Sequence, residues 1–550
     1  LTVRWWGWGE DSGAIHLGDA AAGVLHAELG LGEARRTATV SLEDVRLPEP
    51  TLNGRARRAL AQAVGEKHVR DDRLSRISHA AGRSYPDLVR LRAGDASHAP
   101  DAVVHTGSEA EVATVLAVCS RAGVAVTPFG GGTSVVGGVE ALRGSHVAAI
   151  SLDLTRMDTV LDVDQVSLTA ALEPGILGPE LERRLGAAGL TLGHFPQSFE
   201  FSTVGGWVAT RSAGQASTGY GRIDDLVESV SCITPTGALK TRDVPVTAAG
   251  PSLRELVVGS EGALGVITAA TLRVRPLPEV RHYEAWSFSS FEEGAEAYRI
   301  MEQAGASPDV ARLSDEEETR LSKALASSGS VAERLGESYL RIRGQQDGCL
   351  AFTGYEGTSD DVARRRKRAA VLLRAAGAVS LGQRPARSWL KGRFSAPYLR
   401  DDMLGHGAMV ETLETATTWS NLHVLYRAVR EALTGALASR GTPPLVLCHM
   451  SHLYRSGASL YFTFLARQEA GAELDQWRTA KRAAGDAILA NGGTITHHHA
   501  VGADHVPWMT REVGDLGVEV LRAAKERLDP EGIMNPGKLI PERSRPEAPG

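Results

Sequence analysis

One loop constrains this chain more than any other stretch: PFGGGTSVVGG, residues 128–138. Glycines lack Cβ and tolerate positive φ, so successive backbone N–H groups can converge on an anion. Thr133 and Ser134 add hydroxyl donors. A phosphate or pyrophosphate is the natural ligand of such a nest. The loop is not a P-loop, because no Gly-Lys-Ser/Thr follows. Nor is it a dinucleotide fingerprint: counted from Gly130, the third glycine falls on Val135, and no long helix follows. Alone it reads equally as a glycine-rich hairpin turn. Two further segments weigh against the turn, QSFEFSTVGGWVATRSAGQASTGYGRIDDLV (197–227) and GSEGALGVIT (259–268). Three small-residue, hydroxyl-rich segments in one domain point to a long ligand threaded past backbone.

The loop sits in a pattern of alternating strands and helices that begins near residue 96. Ser108 and Glu111 read as a capping box, after which Val112, Val115, Leu116 and Cys119 share one helical face and Gly123 ends the helix. VAVTP (124–128), HVAAISLDL (146–154) and VSLTAAL (166–172) read as strands, GPELERRLGAAG (178–189) as a helix, and LVVGSEGALGVIT (256–268) as a return to strand. Past about 280 a second region opens, with helices at 290–305, from Ser359, at 418–440 and at 470–490, and strands at 350–357 and 456–466. The Ser-, Gly- and charge-rich residues 314–346 read as a mobile excursion. The expected fold is α+β, divided into an N-terminal region 1–95, a ligand-binding domain 96–279, a second domain 280–541 and a tail 542–550.

Composition narrows the function. At 550 residues the chain exceeds one hydrophobic core. A net charge of −6 disfavours a general nucleic-acid binder. No run of eighteen apolar residues exists to span a bilayer as a helix. Cys119, Cys232, Cys349 and Cys448 form no CxxC pair, so neither a zinc ribbon nor a disulfide scaffold is expected, and a reducing cytoplasm fits. The opening LTVRWWGWGE carries no basic-then-apolar leader. Abundant Gly, Ala and Arg fit a GC-rich bacterial genome.

Taken together and in order, the three segments resemble the PCMH-type FAD-binding domain of the vanillyl-alcohol-oxidase flavoproteins. With RWWGWG (4–9), FEFSTVGGWVATR (199–211), GASLYFTF (457–464) and GGTITHHHAVG (492–502), the chain resembles the alkyldihydroxyacetonephosphate synthase (alkylglycerone-phosphate synthase) family over almost its whole length. The resemblance implies a two-subdomain FAD domain followed by an α+β cap. It places Pro128, Phe129, Gly130, Gly131, Gly132, Thr133 and Ser134 on the pyrophosphate. Gln197, Ser198, Phe199, Glu200, Phe201, Ser202 and Thr203, with Ala209, Thr210, Arg211 and Ser212, would line the flavin and its ribityl chain. Glu261, Gly262, Ala263, Leu264, Gly265, Val266 and Ile267 would meet the adenosine side. The loop has no histidine to bond the flavin, so the FAD is expected to be non-covalent.

The family's reaction replaces the acyl chain of acyl-dihydroxyacetone phosphate by a fatty alcohol, with the flavin as a covalent handle and no net redox change. The resemblance makes Tyr461 the acid–base group, and Arg400 and Arg312 arginines for the substrate; a core aromatic and two surface ion pairs are the alternatives. It also gives a lipid-like substrate and a homodimer; the expected location, from the cysteine usage and the basic run 363–368, is cytoplasmic with peripheral contact to the membrane's inner face. Related 2-hydroxy-acid dehydrogenases bind a metal with two histidines and a Glu-His pair. Here His452 mimics the first histidine, while Tyr461 and His498 stand where a histidine and the glutamate would be, so no metal is expected. His497, His498 and His499 read instead as imidazoles titrating near pH 7 beside flavin and substrate, with His497 and His499 on one face if the segment is extended. Tyr454-Arg455-Ser456-Gly457 departs from the acidic Tyr-Asp-Ala-Gly of animal members, which leaves the substrate open, and no peroxisomal targeting extension is expected. ARRRKR (363–368) reads as a solvated helix face, with attraction to anionic headgroups as the alternative. The competing functions are an FAD-dependent oxidoreductase of a 2-hydroxy acid or alcohol, and a non-catalytic FAD-binding protein.

Overall fold

The computed structural model describes residues 3–31, 38–326 and 338–543. The loop that constrains the sequence leaves the end of a small, mostly parallel sheet. Its strands are β1 (Val69–Arg70), β2 (Ala102–His105), β3 (Val124–Phe129) and β4 (Ala148–Asp153), in the order β1-β2-β4-β3. β2, β4 and β3 run parallel, and β4 is buried along its whole length because both faces are covered. Beneath it lies the helix Glu109–Ala122, whose Val112, Val115, Leu116 and Cys119 are fully buried as the spacing predicts. Ser108 caps this helix and Gly123 ends it at φ 63°. The box is not reciprocal, because the Glu111 carboxylate accepts from the N–H of Gly107.

A second, antiparallel sheet holds β5 (Val160–Asp164), β6 (Thr169–Leu172), β8 (Val227–Thr234), β9 (Gly237–Lys240) and β10 (Val266–Arg273), in the order β5-β6-β10-β8-β9. Two short strands, β7 (Leu190–Thr191) and β11 (Arg275–Pro276), pair beside it. The expected strand at 256–268 begins only at Val266; Leu253–Val257 is helical, and Glu261 turns the chain at φ 52°. Two pieces outside 96–279 complete the domain. β1 pairs with β2, and near the C-terminus Val126 bridges Met534, with Ile533 and Met534 buried in the same core.

The third sheet is antiparallel: β12 (Val280–Phe288), β13 (Val310–Ser314), β14 (Cys349–Gly357), β15 (Val379–Gly382), β16 (Ala408–Thr418), β17 (Leu445–Tyr454) and β18 (Gly457–Arg467), ordered β15-β12-β14-β13-β17-β18-β16. One face packs the helices Phe291–Gln303, Ser359–Ala375, Leu422–Ala438 and Glu473–Ala490 into the largest core. Leu460, Phe462 and Phe464 of β18 point into that core. The alternate residues Tyr461, Thr463 and Leu465 point the other way, into a cavity against the domain of the first two sheets. Residues 316–326, expected to be part of a mobile excursion, form a helix that closes one side of this cavity; the central part of that stretch, 327–337, lies outside the described residues. In ARRRKR, Arg365 turns inward to bridge Asp309 and Asp361, whereas Arg364, Arg366, Lys367 and Arg368 are exposed, Arg364 beside Asp361 and Arg366 beside Glu284, so the run is mostly a solvated face.

Candidate active site

The cavity between the domains has a volume of about 540 Å³. One end is built from the glycine loop, and all seven residues from Pro128 to Ser134 line it. There is no room for a side chain here: a Cβ on Gly131 would sit 1.7 Å from the carbonyl oxygen of Phe201, and one on Gly130 would sit 2.3 Å from Thr203 Oγ1. Gly132 takes φ 64°. Among the described residues, the N–H groups of Gly131, Gly132, Thr133 and Ser134 donate to no protein acceptor. A cradle of free N–H groups with glycine-only clearance fits the pyrophosphate of FAD.

The other expected cofactor contacts divide by geometry. Gln197, Ser198, Ser202, Thr203, Ala209, Thr210, Ser212, Glu261, Gly262, Gly265 and Ile267 line the cavity. Phe199 does not; it packs in the core of the second, antiparallel sheet, with Phe394 stacked against it. Glu200 is exposed, and Phe201 meets Trp8 edge-on at 5.7 Å. Arg211 is a helix C-cap at φ 52° whose guanidinium binds Val258 O, Asp224 and Glu255. Ala263, Leu264 and Val266 are core residues. These seven share their segment's sequence with true lining residues but face away from the cavity, because helix and turn geometry sends neighbouring side chains in different directions.

On the third sheet, register assembles the chemistry. His449 of β17 lies opposite Tyr461 of β18, which lies opposite Glu414 of β16. Arg312 of β13 reaches the same wall. Tyr461 is therefore a cavity residue rather than a core aromatic. Its ring stacks on His449 at 4.8 Å, and burial pushes its phenol up to about 12 against the help of a Thr412 hydrogen bond. Arg312 is not a free cation: it pairs with Glu318 at 2.8 Å and lies 3.0 Å from His449 Nδ1, a nitrogen that also meets the Glu318 carboxylate at 3.1 Å. Arg400 binds Arg83 O through Nη1 at 2.7 Å, while its buried Nε and Nη2 have no hydrogen-bond partner. Asp401 beside it anchors the N-terminal motif through the N–H of Trp8, and Trp8 lines the cavity.

The triple-histidine segment is held by two buried carboxylates. Glu414 accepts the N–H groups of His497, His498 (3.0 Å) and His499 (2.7 Å) and the Thr496 hydroxyl. Glu261, expected on the adenosine side, accepts those of Val501 and Gly502 at 2.8 and 2.7 Å, and burial pushes its pKa up to about 7. So held, the segment is irregular, not extended. His498 and His499 line the cavity, whereas His497 lies behind them against His452 and Tyr454. Burial drives all three below the usual histidine range, His499 to about 3. They are neutral rings at pH 7, not groups titrating there. His452, His497 and His498 bring one nitrogen each within 4.8 Å of one another, a potential three-ligand metal cluster that the sequence did not anticipate. Also missed were Glu414, Glu318 and His449, which carry no motif and are brought in only by strand register and loop docking.

Away from the glycine loop the cavity becomes apolar. Leu321 and Leu325, Leu399 and Met403, Val410, Leu447 and Leu465 line this arm, and they belong to one cluster with Leu25 and Leu29.

A nucleotide cradle on a two-sheet domain, facing an acid–base wall on a seven-stranded cap, defines an FAD-linked oxidase-type flavoprotein. Family comparison agrees: residues 100–242 match the FAD binding domain, and residues 277–539 match the FAD linked oxidases, C-terminal domain. An alkyldihydroxyacetonephosphate synthase of Dictyostelium discoideum is 34% identical over 98% of this chain and 93% of its own length. That of Trypanosoma brucei brucei is 33% identical over 99% and 94%. A solved alkyldihydroxyacetonephosphate synthase superposes with a TM-score of 0.85 at 31% identity, over 98% of this chain and 99% of its own. The chain belongs to the alkyldihydroxyacetonephosphate synthase family.

Proposed function

We propose that this chain replaces the acyl group of an acyl-dihydroxyacetone phosphate by a long-chain alcohol, forming an ether-lipid precursor. One observation carries the reading. A single cavity joins the anion cradle to an apolar arm, with Tyr461 and the half-paired Arg400 on its wall, near enough for Arg400 to influence the phenol electrostatically. The apolar arm suits the two aliphatic chains. The free donors of Arg400 suit a phosphate, which guanidinium binds bidentately.

When bound, the flavin supplies an electron-poor ring against which the ketone carbon skeleton is held during exchange. The protein's own part is proton transfer. With its pKa at about 12, Tyr461 enters the cycle protonated and gives its proton to the departing carboxylate oxygen as the bond between that oxygen and the carbon skeleton of the ketone breaks. The incoming alcohol returns a proton to Tyr461 as the ether bond forms. His449 keeps the phenol ring in place from one side and is itself held by Arg312 and Glu318. Within this reading the enzyme is a homodimer working at the cytoplasmic face of a membrane; sedimentation and vesicle flotation test both parts.

The decisive experiment supplies labelled long-chain alcohol with and without acyl-dihydroxyacetone phosphate and follows the flavin spectrum. Label is expected in an ether only when the acyl substrate is present, with the flavin oxidised after each cycle. Rapid anaerobic bleaching by D-lactate, glycolate or D-2-hydroxyglutarate, without ether, would favour the oxidoreductase.

A further inference from the structure

Three imidazoles from two distant parts of the chain converge beside the cavity. His452 comes from β17, at an irregularity in its pairing with β18 between Met450 and Leu453. A bulge re-aims side chains, and here the consecutive residues Ser451 and His452 both line the cavity, which regular alternation would forbid. His497 and His498 come from the loop that Glu414 holds by its N–H groups. The three ring centroids lie 5.1 Å apart in every pair. Imidazoles sharing one tetrahedral ion, at Zn–N distances of about 2.0–2.1 Å, would have centroids roughly 5.2 Å apart. One nitrogen of each ring lies within 4.8 Å of the other two, and the Nδ1 atoms of His497 and His498 are 2.9 Å apart.

The outer side of the cluster is braced as metal-bound histidines are. A ligating imidazole usually engages a partner through its other ring nitrogen, which fixes the ring's orientation. Ser217 Oγ is 2.5 Å from His452 Nδ1, which leaves Nε2 for an ion. The Tyr454 hydroxyl is 2.6 Å from His497 Nε2, which leaves Nδ1. Glu414 is no ligand: it stands 3.6 Å from His498 Nδ1, and both its oxygens already accept backbone N–H groups. Three imidazoles without a carboxylate suit a zinc-type cation, not magnesium, calcium or manganese, which take oxygen ligands.

We infer that His452, His497 and His498 bind one divalent cation of the zinc type, with a fourth position left to water or a substrate oxygen. Three protein ligands with one open position is the pattern of catalytic zinc. The inference departs from the expectation of no metal, which counted ligands by their place along the chain. His497 was not among them, and folding brings it in from behind the cavity wall. His499, the last ring of the run, is not part of the cluster.

The test uses untagged, full-length holoprotein, stripped with a chelator and then given zinc alone. It is read without substrate, so its outcome is independent of the acyl exchange. After gel filtration the protein is expected to retain one zinc per chain. Cobalt in its place should give the visible bands of a tetrahedral site, to the red of the flavin absorption. His452→Ala should abolish retention, and His499→Gln should bind zinc as the parent does. Ser217→Ala and Tyr454→Phe keep all three rings and should weaken zinc binding about 10–100-fold. They decide the matter if His452→Ala loses its fold or its flavin. A parent that holds no zinc would overturn the inference. So would a folded His452→Ala that holds zinc as well as the parent, or zinc affinity unmoved in both Ser217→Ala and Tyr454→Phe, since either would place the ion elsewhere.

Discussion

A phenol with a pKa near 12 and imidazoles held neutral set what single residues can do here. Tyr461→Phe deletes one hydroxyl from a strand whose core-facing neighbours Leu460, Phe462 and Phe464 are untouched. The variant should keep its flavin and lose about 10²–10⁴ in turnover, the usual share of an acid–base group; near wild-type rates would take Tyr461 out of the chemistry. Buried histidines also shape stability. His505 lies outside the cavity wall, with Nδ1 on Ala500 O at 2.9 Å, and burial lowers its pKa to about 3. The unfolded chain takes up a proton below about 6.5 while the folded ring does not, so stability from this residue is present at pH 7 and lost as pH falls. Between pH 7 and pH 5 the loss is about 2 kcal/mol. His505→Gln should lose about 2 kcal/mol less than wild type over that interval, measured as unfolding free energy at both pH values; parallel losses would contradict the assignment.

At the scale of elements, two devices hold the site: a carboxylate under a loop and a loop without side chains. Glu414 is the acceptor for three successive N–H groups of the histidine segment. Glu414→Ala leaves them unpaired, at about 1–3 kcal/mol each if they stay buried, so the segment should open instead. Hydrogen exchange of a peptide covering 495–502 is expected to accelerate, with peptides from the FAD-type domain unchanged. Unaltered exchange would mean that Glu261 suffices to seat it. The glycine loop fails differently. Gly131→Ala drives a methyl into Phe201 O, whereas Gly186→Ala, in the helix Gly178–Ala187, meets open space. The first variant should purify colourless and resist reconstitution with FAD. The second should stay yellow and gain up to about 1 kcal/mol, the difference between glycine and alanine inside a helix.

For the whole molecule, the decisive feature is that neither domain holds the site alone. The apolar arm is closed by Leu321 from a helix after β13, Met403 from the helix Ala396–Gly405 and Leu465 from β18, with Leu25 of the N-terminal helix packed behind. Met403→Trp should shorten it, so that long alcohols lose kcat/KM before short ones; an even loss across chain lengths would place the aliphatic chains elsewhere. Much of this architecture was legible in the chain itself. Glycine clusters need their positive φ and side-chain clearance wherever they fold, so the cradle at 130–132 could be read directly. Period-two alternation in LYFTF separates Tyr461 from its core-facing neighbours, and helix periodicity fixes Val112 to Cys119. What the sequence could not show is which distant residues meet. Glu414 looks like any strand glutamate until β16 pairs with β18 and the histidine loop docks on it. His449 reaches Tyr461 only through the β17–β18 register. The histidines, ionisable near pH 7 as isolated side chains, become neutral rings only when the two domains close over them. Local backbone geometry is set by neighbours in the chain, and there the sequence was sufficient. Burial, charge pairing and protonation depend on partners hundreds of residues away, and those only the tertiary structure decided.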